Sequence, residues 1–229
     1  MRHGKTSTKI IASFALATAP LAMIGLAATP AAAQSTGVKS LLGDASDNAL
    51  DKLAQPGAFY ADKAVRVLLP GPLKKATDIL RFTSKAGLTR DITKTLNDAA
   101  GRAALEAKPL FRSAIDNLTL QDGVGIVTGG NAAGSDYLRR TSGEELATKV
   151  RPLVEKALTE LGAYQQVEKL GSVSSLARLG GANISREGLT DSVTDQTMDG
   201  IFTYIGKEEA KFRSEPLDKG KKLLKGIFK

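Results

Sequence analysis

Residues 141–162 read TSGEELATKVRPLVEKALTELG. Thr141 with Glu144, and Ser142 with Glu145, have the spacing of a capping box, in which a hydroxyl caps the helix start and the acid reaches back to it. From there Leu146, Val150, Val154, Leu158 and Leu161 recur at intervals of three or four residues. That period puts them on one face of a helix, whereas a strand alternates by two. Pro152 falls inside the run and predicts a change of direction there, because proline removes a backbone donor and crowds the preceding turn.

The same period spreads outward in both directions. Downstream, a helix is expected from about Ala163 to Arg178, then a loop at Gly180-Gly181. A further helix follows from about Leu189 to Arg213 through Val193, Met198, Ile201, Phe202 and Ile205, with Pro216 beyond its end. Upstream, Pro72 suits a first helical position and is followed by Leu73, Ala76, Ile79 and Leu80, with Gly87 as the stop. Thr89 or a neighbour opens the next helix, with Ile92, Leu96, Ala99 and Ala103 on one face. Lys108-Pro109 interrupts it, and Leu110, Phe111, Ala114, Ile115 and Leu118 continue the pattern. Thr119 reads as an N-cap with Asp122 near the positive helix end. Only Val65-Arg66-Val67-Leu68-Leu69-Pro70 alternates. Isolated and short, it reads as an extended strap anchored on the helices by Val65, Val67 and Leu69, each worth about 1.5–3 kcal/mol if fully buried. The fold expected is all-α: a single-domain multi-helix bundle over residues 34–216 with an extended strap near residues 64–70.

The two ends read differently. Residues 1–9 carry Arg2, Lys5 and Lys9 and no acid. Residues 10–28 are apolar or small, and Ala31-Ala32-Ala33 precedes Gln34. A basic start, an apolar core and an A-x-A site make residues 1–33 a secretory signal peptide, removed after Ala33. Its apolar stretch is just long enough for an anchor helix, but Pro20, Ser13, Thr18 and the many alanines argue against one. The expected location is the periplasm of a Gram-negative bacterium. Residues 217–229 form a basic amphipathic tail, with Leu223, Leu224, Ile227 and Phe228 on one helical face among five lysines.

Charge and composition exclude several chemistries. The chain has 32 Lys and Arg against 24 Asp and Glu. Loss of residues 1–33 removes three bases and no acid. The last eleven residues hold Lys219, Lys221, Lys222, Lys225 and Lys229, so residues 34–218 are electrically neutral. No basic face for nucleic acid is therefore expected. The one histidine is His3 and there is no cysteine. The secreted form then lacks Ser-His and Cys-His pairs, thiolate chemistry, His or Cys zinc sites and disulfides. No cofactor is expected, since no Gly-x4-Gly-Lys-Ser/Thr spacing occurs. No metal is expected either, since the Asp116 to Asp122 stretch lacks calcium-loop ligands.

Several stretches, taken together, resemble the bacterial domain-of-unknown-function 4197 family. They include Pro56-Gly57-Ala58-Phe59, Pro70-Gly71-Pro72-Leu73-Lys74-Lys75, Glu106-Ala107-Lys108-Pro109-Leu110-Phe111 and Ile126-Val127-Thr128-Gly129-Gly130. Tyr137-Leu138-Arg139-Arg140-Thr141, Met198-Asp199-Gly200-Ile201-Phe202 and Leu223-Leu224-Lys225-Gly226-Ile227-Phe228 complete the set. Gly101 and Ala132 depart from it, standing where the family pattern leads one to expect acids. The resemblance implies an exported helical bacterial protein and no activity.

Two features are candidate contact surfaces. The first is Asp122 with Thr128, Gly129, Gly130, Asn131, Tyr137, Arg139 and Arg140: a glycine corner whose free amides and arginines suit a small anionic ligand. The competing reading is a plain corner, with glycines at positive φ, Tyr137 in the core and the arginines paired with Glu144 and Glu145. The second is the tail, where Lys221, Lys222, Leu224, Lys225 and Phe228 suit an anionic membrane surface; the competing and favoured reading is a last helix docked onto the body with its lysines outward. No catalytic residue is assigned. Asp44 with Asp47, Glu144 with Glu145 and Glu208 with Glu209 do not converge across a cleft, and Glu209 with Arg213 has the spacing of a surface ion pair. The leading expectation is a periplasmic binding or structural accessory module that meets an envelope partner or small anion. A hydrolase using only carboxylate and Lys/Arg groups, and a peripheral membrane protein acting through the tail, are the alternatives.

Overall fold

The computed structural model of the protein describes residues 30–71, 73–75, 86–119, 126, 128–171 and 185–214. The helices are α1 (Pro30–Leu53), α2 (Ala58–Ala61), α3 (Ala86–Asp116), α4 (Ala133–Glu160), α5 (Ala163–Gly171) and α6 (Arg186–Ser214), with a helical turn at 71 and 73–75. No strand occurs among the described residues. The all-α reading holds.

The long helices form a ring. α1 packs chiefly on α3 and α6, and α4 packs on the same two. Each contributes a buried stripe at helical spacing: Leu42, Ala45, Ala49 and Leu53 from α1, Ile92, Leu96, Ala103 and Phe111 from α3, Leu146, Val150, Val154 and Leu158 from α4, Val193, Ile201 and Ile205 from α6. Phe111 and Phe202 meet edge to face in the middle, with ring centroids 5.6 Å apart. Alanines on α1 and α3 let the helices approach closely.

Surface pairs mark the register. Asp47 takes Arg112 and Asp51 takes Lys108, each at 2.7 Å, so α1 and α3 run antiparallel. Lys156 reaches Glu106 across α3 and α4, and Arg139–Asp199 and Arg151–Asp191 tie α4 to α6. Each exposed pair adds well under about 1 kcal/mol, so their effect is on alignment more than on stability.

The strap is where the alternating stretch placed it, over residues 66–70 without regular structure. Val65 and Val67 are buried, Leu69 packs on the core and Leu68 is 54% exposed. Apolar burial is only half of its attachment. Asn97 of α3 accepts the Val67 N–H at 2.8 Å and donates to the Val67 carbonyl at 2.8 Å. Gln196 of α6 does the same for Leu68, at 2.8 and 3.0 Å. Backbone groups of successive extended residues point to opposite sides. The two amide side chains thus stand in for neighbouring strands, one on each flank.

Several helix boundaries differ from expectation. α4 starts at Ala133, so Thr141 and Ser142 lie inside it and cap nothing; the Thr141 hydroxyl donates back to the Tyr137 carbonyl. Pro109 does not interrupt α3 and Pro152 lies within α4; both residues are exposed. Gly87 falls near the start of α3 rather than ending a helix. The positive-φ glycines among the described residues are Gly57 at 76° and Gly162 at 70°, not Gly129 or Gly130. Gly162 follows the end of α4 and lets the chain turn into α5. The expected continuations over Ala76–Leu80 and to Arg178, the leader up to residue 29, and the 217–229 tail lie outside the described residues.

Candidate functional site

At the corner from Thr128 to Arg140, Thr128, Gly129, Gly130 and Asn131 are exposed, and the Ala133 N–H donates to the Gly130 carbonyl at 3.1 Å. Asp122 lies outside the described residues. The first turn of α4 presents free amides, as every helix start does, and Ala132 before it offers no side-chain cap. Those amides are already occupied. Glu209, fully buried on α6, accepts from the Gly134 N–H at 3.0 Å and the Ser135 N–H at 2.8 Å. Arg213 donates to Glu209 through Nε at 3.0 Å and Nη2 at 2.7 Å, and to the Ile126 carbonyl at 2.8 Å. The Ser135 hydroxyl donates to the Phe202 carbonyl. The Glu209–Arg213 pair is thus an internal clamp, not the surface pair its spacing suggested. Gly134 makes room for it, since a Cβ there would overlap Leu42 and crowd Glu209.

The two arginines diverge. Arg139 reaches α6, bonding Asp199 at 2.7 Å with its guanidinium 4.8 Å from the Phe202 ring centroid. Arg140 lies over Tyr137 of its own helix, which packs on the core. Neither forms an ion pair with Glu144 or Glu145; Glu145 takes Lys149 instead.

Other charged groups are also fastened. Burial alone would raise the Glu208 carboxyl, but hydrogen bonds from Lys211 and Lys52 prevail and hold its pKa below the ordinary value. Asp62 is held low by the Ala64 N–H and the Tyr204 hydroxyl. Burial and the bond to Asp62 push the Tyr204 hydroxyl up to about 12. Glu208 thus ties α6 to α1, and Asp62 ties the turn between α2 and the strap to α6.

A feature not anticipated from sequence is a cleft of about 430 Å³ between α3 and the turn after α1. Its lining includes Gln55, Pro56, Gly57, Lys94, Asp98 and Arg102. Lys94 and Asp98 make no ion pair or side-chain hydrogen bond among the described residues. Arg102 makes one long contact to Glu160, at 3.5 Å, with both side chains half exposed. The sequence shows only that Lys94, Asp98 and Arg102 recur at intervals of four on one helix face; nothing in it reports the turn that walls the cleft opposite them. Among the described residues no group of three or more acidic, His or Cys side chains is placed to hold a metal ion, and no helix is long and apolar enough to cross a membrane.

A family model described as a protein of unknown function, DUF4197, matches residues 29–229. The chain belongs to the DUF4197 family. The resemblance noted from the Pro56-Gly57 and Thr128-Gly129-Gly130 stretches is thereby borne out over most of the chain. In this DUF4197 member the glycines of those two stretches sit at different structures: Gly57 beside the cleft, Gly129 and Gly130 at the clamped corner. Neither a curated protein nor a solved structure matches the chain.

Proposed function

We propose that this DUF4197 protein is an exported accessory module of the bacterial envelope that binds or braces rather than catalyses. The observation that carries the reading is the fate of the charged groups. Glu208, Glu209 and Arg213, with Asp62 and Tyr204, are each bonded to backbone or to an opposite charge that holds two elements together. A catalytic acid or base needs a proton path to a substrate, and groups spent on such clamps have none. The composition supports the same view, since a form beginning at Gln34 owns no imidazole and no thiol. Lys94 and Asp98, which line the cleft, are not spent on such clamps, which favours holding a small polar molecule there.

Two measurements test this. N-terminal sequencing of the protein from the periplasmic fraction of its host is expected to begin at Gln34; a chain that keeps its leader inside the cell removes the export claim. Purified 34–229 is expected to leave a broad panel of ester, phosphate, amide and glycoside substrates unchanged. Turnover that disappears on substituting a single carboxylate overturns the accessory reading.

A further inference from the structure

We infer that the cleft between α3 and the turn after α1 binds a small acidic amino acid, of the kind represented by L-glutamate. The inference rests on the binding reading above and names its ligand class. Lys94, Asp98 and Arg102 form a row of charges, positive, negative, positive, at successive turns of α3. Successive members are separated by about 6 Å along the axis. An α-amino dicarboxylate carries the complementary row of carboxylate, ammonium and carboxylate, at spacings that long Lys and Arg side chains can meet.

The wall opposite strengthens the match. α1 ends at Leu53, and the residues that line the cleft on that side, Gln55 to Gly57, follow it directly. The Leu53 carbonyl faces Gly101 of α3, where an added Cβ would lie 3.2 Å from it. The negative end of a helix thus borders the cleft near Asp98, where an ammonium group is favoured. Gly101 adds no side chain to this wall, and Asp98 is the sole carboxylate among the described lining residues. Arg102 can exchange its long contact with Glu160 for a ligand carboxylate with little loss, because both partners are half exposed. Lys94 and Arg102 against Asp98 give the row a net positive charge, matching the net negative charge of the ligand. The volume, about 430 Å³, lies in the range of small-molecule sites.

The test is calorimetric titration of the chain 34–229 with L-glutamate, L-glutamine and glutarate at millimolar concentration. L-glutamate is expected to bind. Glutarate, which lacks the ammonium, and Asp98→Asn with L-glutamate should each weaken binding by about tenfold, the scale of one lost charge-assisted bond. L-glutamine should bind more weakly than L-glutamate to the wild type and equally to Arg102→Ala, the signature of a side-chain carboxylate on Arg102. These positions lie at the surface, and far-UV circular dichroism of each variant checks that it folds. Absence of L-glutamate binding to the wild type overturns the inference. So does binding that Lys94→Ala and folded Asp98→Asn leave unchanged, which would put the ligand elsewhere. Either failure leaves the non-catalytic reading standing, because turnover and location decide that separately.

Discussion

Glu209 stabilises the fold in two ways, and removing it should expose both. In the wild type its carboxylate satisfies two amides at the start of α4 and neutralises Arg213, whose side chain is only 19% exposed. Glu209→Ala removes the helix cap, at about 0.5–2 kcal/mol. It also leaves Arg213 without its partner; losing one member of a buried pair costs about 3–5 kcal/mol. Arg213 keeps the Ile126 carbonyl and can turn toward water, so the lower end of the pair figure applies and the whole comes to about 3.5–5 kcal/mol. Glu209→Gln keeps the shape but sets an amide N–H against a ring of donors, for about 2–3 kcal/mol. Arg213→Met leaves both helix amides capped but strands a fully buried carboxylate and the Ile126 carbonyl, and should cost about 3–5 kcal/mol. The assay is urea unfolding followed by circular dichroism, with midpoints on heating falling by about 2–4 °C per kcal/mol for a domain of this size. The double substitution should cost at least about 1 kcal/mol less than the sum of the singles, because each removes the other's partner. A Glu209→Ala chain within about 0.5 kcal/mol of wild type, or strict additivity, refutes the reasoning.

The strap offers a contrast between buried and exposed amides. Asn97→Ala strands the Val67 N–H and carbonyl away from water and should cost about 2–3 kcal/mol, whereas Gln196→Ala at the exposed Leu68 should cost under about 1 kcal/mol; equal losses in urea unfolding would disprove the distinction. Tyr204 keeps its proton in the folded state from its ordinary value of 10 up to about 12, so folding stability present below pH 10 falls as pH rises through that window. Ultraviolet titration should show one of the four tyrosines ionising late, and Tyr204→Phe should abolish that step. Glu208 has the opposite sign: its folded pKa is depressed below 4.5, so its contribution is present above that pH and lost as acid is added, and Lys52→Ala should shrink the acid-side loss. Deleting residues 217–229 should abolish any salt-sensitive pelleting with anionic liposomes; pelleting that survives the deletion removes the tail as a membrane contact.

The long helices with strong apolar contrast were legible. The Val193, Ile201 and Ile205 stripe located α6 within three residues, and the alternation around Val67 located the strap. α1 was not legible, because it packs through the small residues Ala45, Ser46 and Ala49 and contains Gly37 and Gly43, which weaken the apolar contrast of a helix face. Gly43 is there for space: a Cβ would overlap the Arg112 side chain crossing it. The start of α4 was misplaced because its cap comes from Glu209, which is 75 residues from Gly134 in sequence, and no local pattern reports a distant donor–acceptor pair. The cleft was illegible for a similar reason, since it joins one helix face to a turn elsewhere in the chain.

The first and last helices of the ring lie against each other, and the strap is fastened to Gln196, 128 residues downstream of Leu68. A polypeptide emerging N-terminus first therefore cannot seal its interior until nearly all of it has appeared. Helices can form locally and early, but α1 and the strap wait exposed, with long loop closures still to make. Such a molecule stays threadable for most of its synthesis and becomes resistant to unfolding only in the final step.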